Sequence, residues 1–209
     1  MEHNLIIVGI SGGSGSGKSS ISRNILHHYG YEKCAIIEVD SYYKDLKELS
    51  MKEREKTNFD HPDSIDFELM VNDLNDFIVG KNISVPIYDY KTHTRTTESK
   101  SITSQNIIII EGIFALFNQN LRNLMNFKVF VDTEDKIRLA RRIKRDMKYR
   151  KRTYDSIIKQ YNNNVRPMYD SYVRPLKNVC DLVITGGVKN TVAMDQLISK
   201  ITDMDNSTI

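Results

Sequence analysis

The stretch LIIVGISGGSGSGKSS, residues 5–20, decides the fold of this chain. It fits the pattern G-x-x-x-x-G-K-[ST] through Gly12, Gly17, Lys18 and Ser19, with a strand pattern before the glycines and a helix pattern after them. In that context the backbone N–H groups of the loop and the positive end of the helix dipole bind phosphate. The stretch therefore predicts a nucleoside triphosphate site in which Lys18 meets the β- and γ-phosphates and Ser19 ligates Mg²⁺. A merely flexible Gly/Ser loop is the alternative.

Short apolar runs rich in β-branched residues recur along the chain, and helix-like stretches separate them. The strand-like runs are 5–10, 35–40, 106–112, 128–133 and 181–185, and the helix-like stretches are 18–29, 66–79, 134–148, 153–164 and 190–203. Continuous hydrophobicity is typical of strands buried on both faces of a parallel sheet. We therefore predict one α/β domain over 1–209. Its fold would be of the three-layer P-loop NTPase type, with a five-stranded, mainly parallel sheet, helices on both faces and a frayed tail, DMDNSTI (203–209).

The segment 82–103 breaks this pattern because it is polar, alternating and poor in helix signals. We interpret it as an inserted β-hairpin. Within it, PIYDYKTHTRT (86–96) would place two tyrosines and two threonines on one face of a strand, and four ionisable side chains, His93 among them, on the other. Neither face is apolar enough to belong to a core, so the hairpin calls for a functional explanation.

The composition, 40% hydrophobic and 27% charged, is typical of a soluble globular protein. No apolar run reaches the length that spans a membrane, and the N-terminus does not resemble a signal peptide. The two cysteines, Cys34 and Cys180, show no metal-like spacing, so we expect a reducing, cytoplasmic setting. The net charge of +3 is uneven, because the segment 136–152 is densely basic and contains Asp146 as its single acid. This indicates a local anion site, with no nucleic-acid or membrane partner.

Acidic residues follow three of the predicted strands, at the sheet edge where ligands of open parallel sheets bind. Glu111 ends IIIIE and is predicted to hold Mg²⁺, unless it is a chance polar residue closing a strand. Asp40 would face the γ-phosphate and could accept the proton of an attacking hydroxyl; it could also cap the next helix or help to place Mg²⁺. We interpret Asp132, with Thr133, as a helix start.

The helix over 134–148 is predicted to be amphipathic, with four apolar residues in one sector and four arginines on the opposite side. The apolar residues are Leu139, Ala140, Ile143 and Met147, and the arginines are Arg138, Arg141, Arg142 and Arg145. A charge run can simply be a solvated face. Next to a phosphate loop, however, arginines that close over a transferred phosphoryl group would neutralise its charge. We therefore predict a helical, Arg-rich lid over 145–160.

These segments together resemble the uridine kinase (uridine–cytidine kinase) family. The resemblance runs in unbroken order from about residue 5 to 190, through the phosphate loop, VDSYYKD (39–45), FDHPDSIDFE (59–68), PIYDYKTHTR (86–95), IIEGIFAL (109–116) and VFVDTEDKIRLARRIKRD (129–146). The loop is generic, whereas NFDHPD and IYDYKTHTR are much more particular to this family. The resemblance implies Mg²⁺-dependent transfer of the γ-phosphoryl group of ATP, or of GTP, to the 5′-hydroxyl of uridine and of cytidine in pyrimidine salvage. It also implies a homo-oligomer, commonly a tetramer.

The resemblance also implies roles residue by residue. Asp40 would be the base that activates the ribose 5′-hydroxyl and would lie with Ser19 and Glu111 at the Mg²⁺ site. The donor phosphates would contact Gly12, Gly13, Ser14, Gly15, Ser16, Gly17, Lys18, Ser19, Ser20, Arg145 and Arg150. The nucleoside would contact Tyr43, Phe59, Asp60, Tyr88, Tyr90, His93, Ile113, Arg142, Arg152 and Gln160.

Within the nucleoside set, Asp60 and Arg142 would bind the ribose hydroxyls, and Tyr88 and His93 would read the polar edge of the pyrimidine. From the residues alone, FDHP could also be a simple turn and His93 an exposed strand histidine. Three positions depart from the family pattern, of which Gly15, where alanine or another small residue is usual, should matter little. Lys151 stands where many relatives carry glycine between the lid arginines, and Tyr90 stands where phenylalanine is common, which affects lid mobility and the preference between uridine and cytidine.

Three other functions compete with this interpretation. A sugar-phosphate kinase such as phosphoribulokinase would leave the aromatic hairpin without a purpose. An RNA-binding or nucleotide-sensing protein could stack bases on 88–95 but gives Asp40 no role. A GTPase switch would need a guanine-reading N-K-x-D after a strand, which VFVDTEDK does not supply.

Overall fold

The computed structural model describes residues 5–207, and its strands and helices alternate along most of the chain. The strands are β1 (Ile6–Gly12), β2 (Cys34–Glu38), β3 (Ile83–Asp89), β4 (Thr94–Ile102), β5 (Ile107–Glu111), β6 (Phe127–Asp132) and β7 (Leu182–Thr185). The α-helices are α1 (Lys18–Tyr29), α2 (Met51–Arg54), α3 (Phe67–Ile78), α4 (Gln119–Asn123), α5 (Asp135–Arg150), α6 (Tyr154–Gln160), α7 (Arg166–Met168) and α8 (Thr191–Asn206). Short 3-10 turns cover Val39–Tyr42, Pro62–Ser64 and Gly187–Lys189.

Five strands form one sheet in the order β2-β5-β1-β6-β7. Its four pairings are all parallel; Ile6 lies opposite Ile107 on one side of β1, and Val8 lies opposite Phe127 on the other. The predicted α/β fold is confirmed, with a sheet that is wholly rather than mainly parallel. Because β1 is central, the loop that follows it opens among the carboxyl ends of β2, β5 and β6.

Helices cover both faces of this sheet because successive side chains of each strand point to opposite sides. Ile7 packs into a core layer that contains Leu74 of α3 and the buried side of the hairpin. Val8 packs into a second layer with Ile25 of α1 and Leu197 of α8. Burial on both faces explains why the strands are continuously apolar in sequence.

The predicted strands and helices all occur within a few residues of their expected bounds. Neither α2 nor α4 was predicted. The helical extension beyond α6, through the π-helical segments Tyr161–Val165 and Tyr169–Val173 to the 3-10 segment Arg174–Val179, was not predicted either. The expectation of a frayed tail was wrong for 203–206, which belong to α8, and residues 208–209 lie outside the described part. None of the helices found in 5–207 has the length and apolar character needed to cross a membrane.

The charged side of α5 faces the interior. Arg138, Arg142 and Asp146 are 2%, 5% and 0% exposed, whereas Ile137 and Met147 are 43% and 49% exposed. The alternative of a simply solvated face is therefore wrong for Arg138 and Arg142, whereas Arg141 is exposed. Arg138 is buried against the phosphate loop, and Arg142 is buried between that loop and Asp146.

The hairpin is a separate two-stranded antiparallel sheet, β3 with β4, whose register shifts between Pro86 and Tyr88. Residues 90–93 form its turn, so the predicted strand alternation is wrong beyond Asp89. Arg95 fixes the hairpin to the body of the molecule, because its guanidinium donates to the Asp66 carboxylate at 3.0 Å and to the Tyr43 carbonyl at 3.0 Å.

Lys151 ends α5 in the left-handed conformation, with φ 52° and ψ 33°. A left-handed L-residue costs about 1–2 kcal/mol, and glycine relieves that strain but gives back about 0.4–1 kcal/mol through the entropy of the unfolded chain. We expect Lys151→Gly to raise the free energy of unfolding by about 0.5–1 kcal/mol in urea denaturation. Lys144→Gly, at an exposed position inside α5, should instead lower it by about 1 kcal/mol. Equal losses in both variants would contradict the strain at Lys151.

Candidate functional site

The phosphate loop joins β1 to α1 with a backbone that glycine makes possible. Gly15 and Gly17 have φ of 79° and 103°, in the left-handed region, and the N–H of Ser16 donates to the Gly13 carbonyl at 3.0 Å. Gly17 precedes α1 and provides no side-chain cap, so the N–H groups of the first turn remain available to an anion. The predicted phosphate-binding set, 12–20, is thus brought together at the carboxyl end of β1.

Arg138 of α5 packs against the outer side of this loop. Its guanidinium lies 3.7 Å from the centre of the Tyr169 ring and so close to Gly13 that a Cβ there would come within 2.2 Å of Nη1. Nε donates to the Thr133 carbonyl at 3.1 Å, and Nη2 donates to the Asp135 carboxylate at 2.6 Å. The loop therefore has no space for a side chain at position 13, and Arg138 determines how far the loop can move outward.

Two further residues bind the carbonyl oxygens of the loop. Arg141 donates to the Gly15 and Ser16 carbonyls at 3.3 and 3.1 Å, and the Thr133 hydroxyl donates to the Ser16 carbonyl at 3.0 Å. The position of Thr133 before α5 had indicated a helix start. Its hydroxyl instead braces the phosphate loop, and α5 has no side-chain cap. These contacts between distant segments carry no local sequence signal, apart from the density of arginine in α5.

A carboxylate and a hydroxyl lie together beside Lys18. The Ser19 hydroxyl donates to Glu111 Oε2 at 3.0 Å, and Lys18 Nζ is 3.5 Å from Glu111 Oε1. Glu38 is in register with Glu111 on the neighbouring strand. No group of three or more His, Cys, Asp or Glu side chains that could hold a metal occurs between residues 5 and 207. One carboxylate and one hydroxyl are a fitting set for Mg²⁺, which is commonly bound through one or two protein oxygens together with substrate phosphates.

Asp40 lies in the 3-10 turn immediately after β2. Burial raises the pKa of its carboxyl to about 6, Lys18 opposes this, and the neighbouring carboxylates Glu111, Glu38 and Asp60 add to it. Such a group is ionised near neutral pH but remains basic enough to take a proton from a hydroxyl. Sequence reasoning missed Glu38, although its place at the end of β2 marks it as a neighbour of the site.

Asp60 lies on the other side of the site, close to the lid arginines. Burial raises the pKa of Asp60, and Arg142, Arg150 and Arg145 act against that increase. The structure thus brings Asp60 into the field of Arg142, its predicted partner, although no ion pair of 4.0 Å or less joins the two among residues 5–207.

Four aromatic rings form a cluster between the Asp60 segment and the hairpin. Tyr43 contacts Phe59 and Tyr88 at centroid distances of 5.1 and 5.2 Å, and His93 stacks on Phe59 at 4.8 Å with an interplanar angle of 15°. His93 reaches this ring because the turn places it at φ 55°, which a continued strand would not allow. Tyr88 of this cluster also lines the cleft described below, so that the cluster forms an aromatic pocket side to which a flat ligand could bind.

Two polar atoms in this cluster have no partner in the described part of the chain. They are the Tyr88 hydroxyl and His93 Nδ1, both buried. Burial is also the first cause of a Tyr88 pKa of about 12, so that its hydroxyl stays protonated. Buried polar atoms are normally hydrogen-bonded, and an unpaired pair within one aromatic pocket indicates a ligand with polar edge atoms.

Tyr90 and Ile113 complete the surroundings of this pocket. Tyr90 packs edge-on against Tyr88 at 5.6 Å and is 53% exposed, and Ile113 packs against the same core layer as Tyr43. A cleft of about 460 Å³ beside them is lined by both Tyr90 and Tyr88 and by Ser19 and Glu111. The hairpin and the Ser19–Glu111 pair therefore share one opening.

Four arginines at the end of α5 and just after it form two pairs. Arg142 and Arg152 both donate to Oε1 of Gln160, and Arg142 also donates to the Ser14 hydroxyl of the phosphate loop at 2.9 Å. The side chains of Arg145 and Arg150 are more exposed, at 39% and 50%. Asp60 lies in the field of three of these arginines, and Asp40 lies in that of Lys18 and Asp60. A phosphate loop with a carboxylate of raised pKa nearby can support phosphoryl transfer to a ligand hydroxyl.

A family comparison agrees with this geometry. The model of the phosphoribulokinase/uridine kinase family matches residues 7–193, nearly the whole chain. The chain belongs to this family. The resemblance noted in the sequence is therefore confirmed at the level of the family, and a kinase of this family uses a nucleoside triphosphate such as ATP as its donor.

Curated relatives with high identity are also known. The chain is 50% identical over 196 residues to a uridine kinase of Streptococcus thermophilus, covering 94% of this chain and 93% of that protein. It is 49% identical over 201 residues to a uridine kinase of Streptococcus agalactiae, covering 96% of each.

Solved structures show the same fold at low identity. A putative fructose transport system kinase from a Silicibacter species superposes with a TM-score of 0.69 at 18% identity, covering 87% of this chain and 90% of that one. Phosphoribulokinase from Rhodobacter spheroides superposes with a TM-score of 0.62 at 15% identity, covering 87% and 70%.

The packing of Arg138 on Gly13 predicts the effect of one added methyl group. We expect Gly13→Ala to push the guanidinium away from the loop and to weaken ATP binding at least tenfold, measured by isothermal titration calorimetry. Gly80→Ala is the control, because its Cβ would meet nothing within 4 Å while its φ of 86° still costs about 1 kcal/mol of stability. Unchanged ATP affinity in Gly13→Ala would show that the packing of Arg138 on Gly13 does not hold the phosphate loop in its binding conformation.

Proposed function

We propose that this chain is a uridine kinase, which transfers the γ-phosphoryl group of ATP to the 5′-hydroxyl of uridine, and of cytidine, for pyrimidine salvage. The observation that carries the choice of acceptor is a pair of buried polar atoms, Tyr88 Oη and His93 Nδ1, which have no partner among residues 5–207 and belong to the aromatic cluster with Tyr43 and Phe59. A pyrimidine has flat faces and a polar edge that suit this cluster. The uridine kinases that cover almost the whole chain support the same acceptor.

The ribose would lie between the aromatic cluster and the lid over 145–160. Asp60 accepts hydrogen bonds from the vicinal hydroxyls, and Arg142, Arg152 and Gln160 hold that side. A sugar phosphate without a base would leave Tyr88 and His93 unpaired, and a site built to pair polar groups discriminates strongly against ligands that lack them.

On the donor side, the N–H groups of residues 12–20 and Lys18 bind the phosphates, and Arg145 and Arg150 close over them. Ser19 and Glu111, with Asp40 nearby, would hold Mg²⁺, which supplies charge neutralisation on the β- and γ-phosphates. The contact of Ser19 with Glu111 supports this assignment. ATP is the proposed donor, with GTP as the alternative.

The chemical step is a single in-line displacement. The ribose 5′-oxygen forms a bond to the γ-phosphorus while the bond from that phosphorus to the β,γ-bridging oxygen breaks. The hydroxyl proton passes to Asp40, and the electron pair of the broken bond leaves with ADP. Lys18 and the lid arginines stabilise charge on the transferred group.

We further propose that 1–209 works as one kinase domain, in which 82–103 is the base-reading hairpin and 145–160 is the lid. A homo-oligomer, a tetramer by family resemblance, and a cytoplasmic location complete the proposal. Light scattering after size-exclusion chromatography tests the oligomeric state.

Asp40→Asn tests the base. We expect kcat to fall by a factor of about 10²–10⁴ in a coupled ADP-release assay with uridine, ATP and Mg²⁺. In the unsubstituted enzyme kcat/KM should fall about tenfold for each pH unit below about 6, because a protonated Asp40 cannot accept the hydroxyl proton. Full activity in Asp40→Asn would remove Asp40 from the chemistry.

The same variant should be more stable at pH 7. Since the folded-state pKa of Asp40 lies above its ordinary value of 3.8, stability is lost as the pH rises from there through about 6. The neutral asparagine avoids that loss, so Tm should rise at pH 7 and match the unsubstituted protein near pH 3.5. Asp195→Asn, an exposed change in α8, should alter neither Tm nor kcat.

Tyr88→Phe tests the base-reading pocket. Removing a hydroxyl that pairs only with the nucleoside should raise the KM for uridine roughly tenfold, with little change in the KM for ATP or in Tm. Tyr29→Phe is the matched control, because the Tyr29 hydroxyl contacts Ile198 and Thr202 far from the site and should lower Tm alone. Equal increases in both KM values for Tyr88→Phe would place the pyrimidine elsewhere.

A further inference from the structure

Asp146 is a buried carboxylate for which the mechanism above has no use. It lies on the inner side of α5 with 0% exposure, and four arginines surround it. A buried charge is tolerated only when it is paired, so these contacts explain why it remains in the interior. They do not explain why its partners are two arginines that the proposed function assigns to the donor and two that it assigns to the acceptor. The donor pair is Arg145 and Arg150, and the acceptor pair is Arg142 and Arg152.

The two carboxylate oxygens divide these partners. Oδ1 accepts a hydrogen bond from Arg145 Nε at 2.8 Å and lies 3.5 Å from Arg150 Nη1. Oδ2 lies 3.6 Å from Arg142 Nε and 3.9 Å from Arg152 Nη1. One oxygen therefore serves the donor pair and the other the acceptor pair, as the proposed function assigns them.

The two sides differ in how well they are satisfied. Oδ2 and Arg142 Nε are both buried, and neither has a hydrogen-bond partner among residues 5–207. They are nevertheless only 3.6 Å apart, so a small rotation of the carboxylate would satisfy both atoms. The bond from Arg145 to Oδ1 opposes that rotation.

The donor pair is also the pair that can leave. Arg145 and Arg150 have side chains that are 39% and 50% exposed, against 5% for Arg142 and 28% for Arg152. A triphosphate that draws the exposed pair away from Oδ1 frees the carboxylate to bind Arg142, which in turn holds Gln160 and Ser14.

We propose that Asp146 is a positioning residue that couples the two substrate subsites, so that donor binding orders the acceptor-side arginines and acceptor binding releases the donor-side ones. This inference rests on the proposed function for the arginine assignments. Coupling between two binding sites is reciprocal, and typical couplings change affinity by about 5- to 150-fold.

The test is a binding cycle on the full-length protein. The Kd of uridine is measured by isothermal titration calorimetry with and without a saturating, non-hydrolysable ATP analogue and Mg²⁺. We expect the analogue to tighten uridine binding about tenfold in the unsubstituted protein and less than about twofold in Asp146→Asn. A merely structural role would lower Tm and both affinities but would leave this ratio unchanged.

Asp135→Asn is the matched control. Asp135 is also an acidic residue of α5 paired with a buried arginine, Arg138, and it accepts a hydrogen bond from the Tyr161 hydroxyl; neither contact involves the four arginines around Asp146. Asp135→Asn should lower stability, and the analogue should still tighten uridine binding about tenfold in this variant. The inference is overturned if the analogue does not tighten uridine binding in the unsubstituted protein, or if it still does so tenfold in Asp146→Asn.

Two further variants keep the test decisive. If Asp146→Asn does not fold, Arg145→Lys replaces it, because lysine keeps the charge and loses the Nε bond to Oδ1; a full ratio there overturns the inference. Arg150→Ala should weaken the analogue alone and Arg152→Ala uridine alone. If each of these two variants weakened both ligands, the arginine assignments would be overturned. If each weakened only its own ligand while Asp146→Asn kept the tenfold effect of the analogue on uridine binding, only the role of Asp146 would be overturned.

Discussion

The insertion of the Arg138 guanidinium between Gly13 and the Tyr169 ring is the contact on which the rest of the site depends. Burying a guanidinium is costly unless its donors are paired and its faces are covered. Here Thr133 and Asp135 accept from Nε and Nη2 and the Tyr169 ring covers one face, whereas Nη1, beside Gly13, has no hydrogen-bond partner among residues 5–207. Residues three and four positions apart lie on one side of a helix. Fixing Arg138 therefore also fixes Arg142 and Asp146, so that one helix positions the phosphate loop together with the arginines around Asp146.

Most of the fold could be predicted because its causes are local. The apolar runs of β1, β5 and β6 identify strands buried on both faces, and the glycines of 12–17 identify a loop that few other residues can form. The acids at strand ends were found for a similar reason, since a parallel sheet brings those ends to one edge.

The parts that could not be predicted depend on distant segments. An apolar sector on α5 is ordinarily the buried one, yet contact with the phosphate loop outweighs it and leaves Met147 exposed. The face assigned to His93 was wrong because the strand ends at Asp89 and a left-handed turn redirects the ring onto Phe59. The role assigned to Thr133 was wrong because its partner, the Ser16 carbonyl, lies far away in sequence, and Glu38 was missed although it ends β2 opposite Glu111.

The central position of β1 has a consequence for how this chain is made. The strand that carries the phosphate loop pairs with β5 and β6 only, and these begin about a hundred residues later. During synthesis, β1 therefore remains without its neighbouring strands while β2 and the local hairpin emerge. Such non-local pairing slows folding and exposes strand edges to other chains. The nucleotide site is thus assembled from segments that are synthesised far apart in time, and a nascent chain that stops before residue 132 cannot form it.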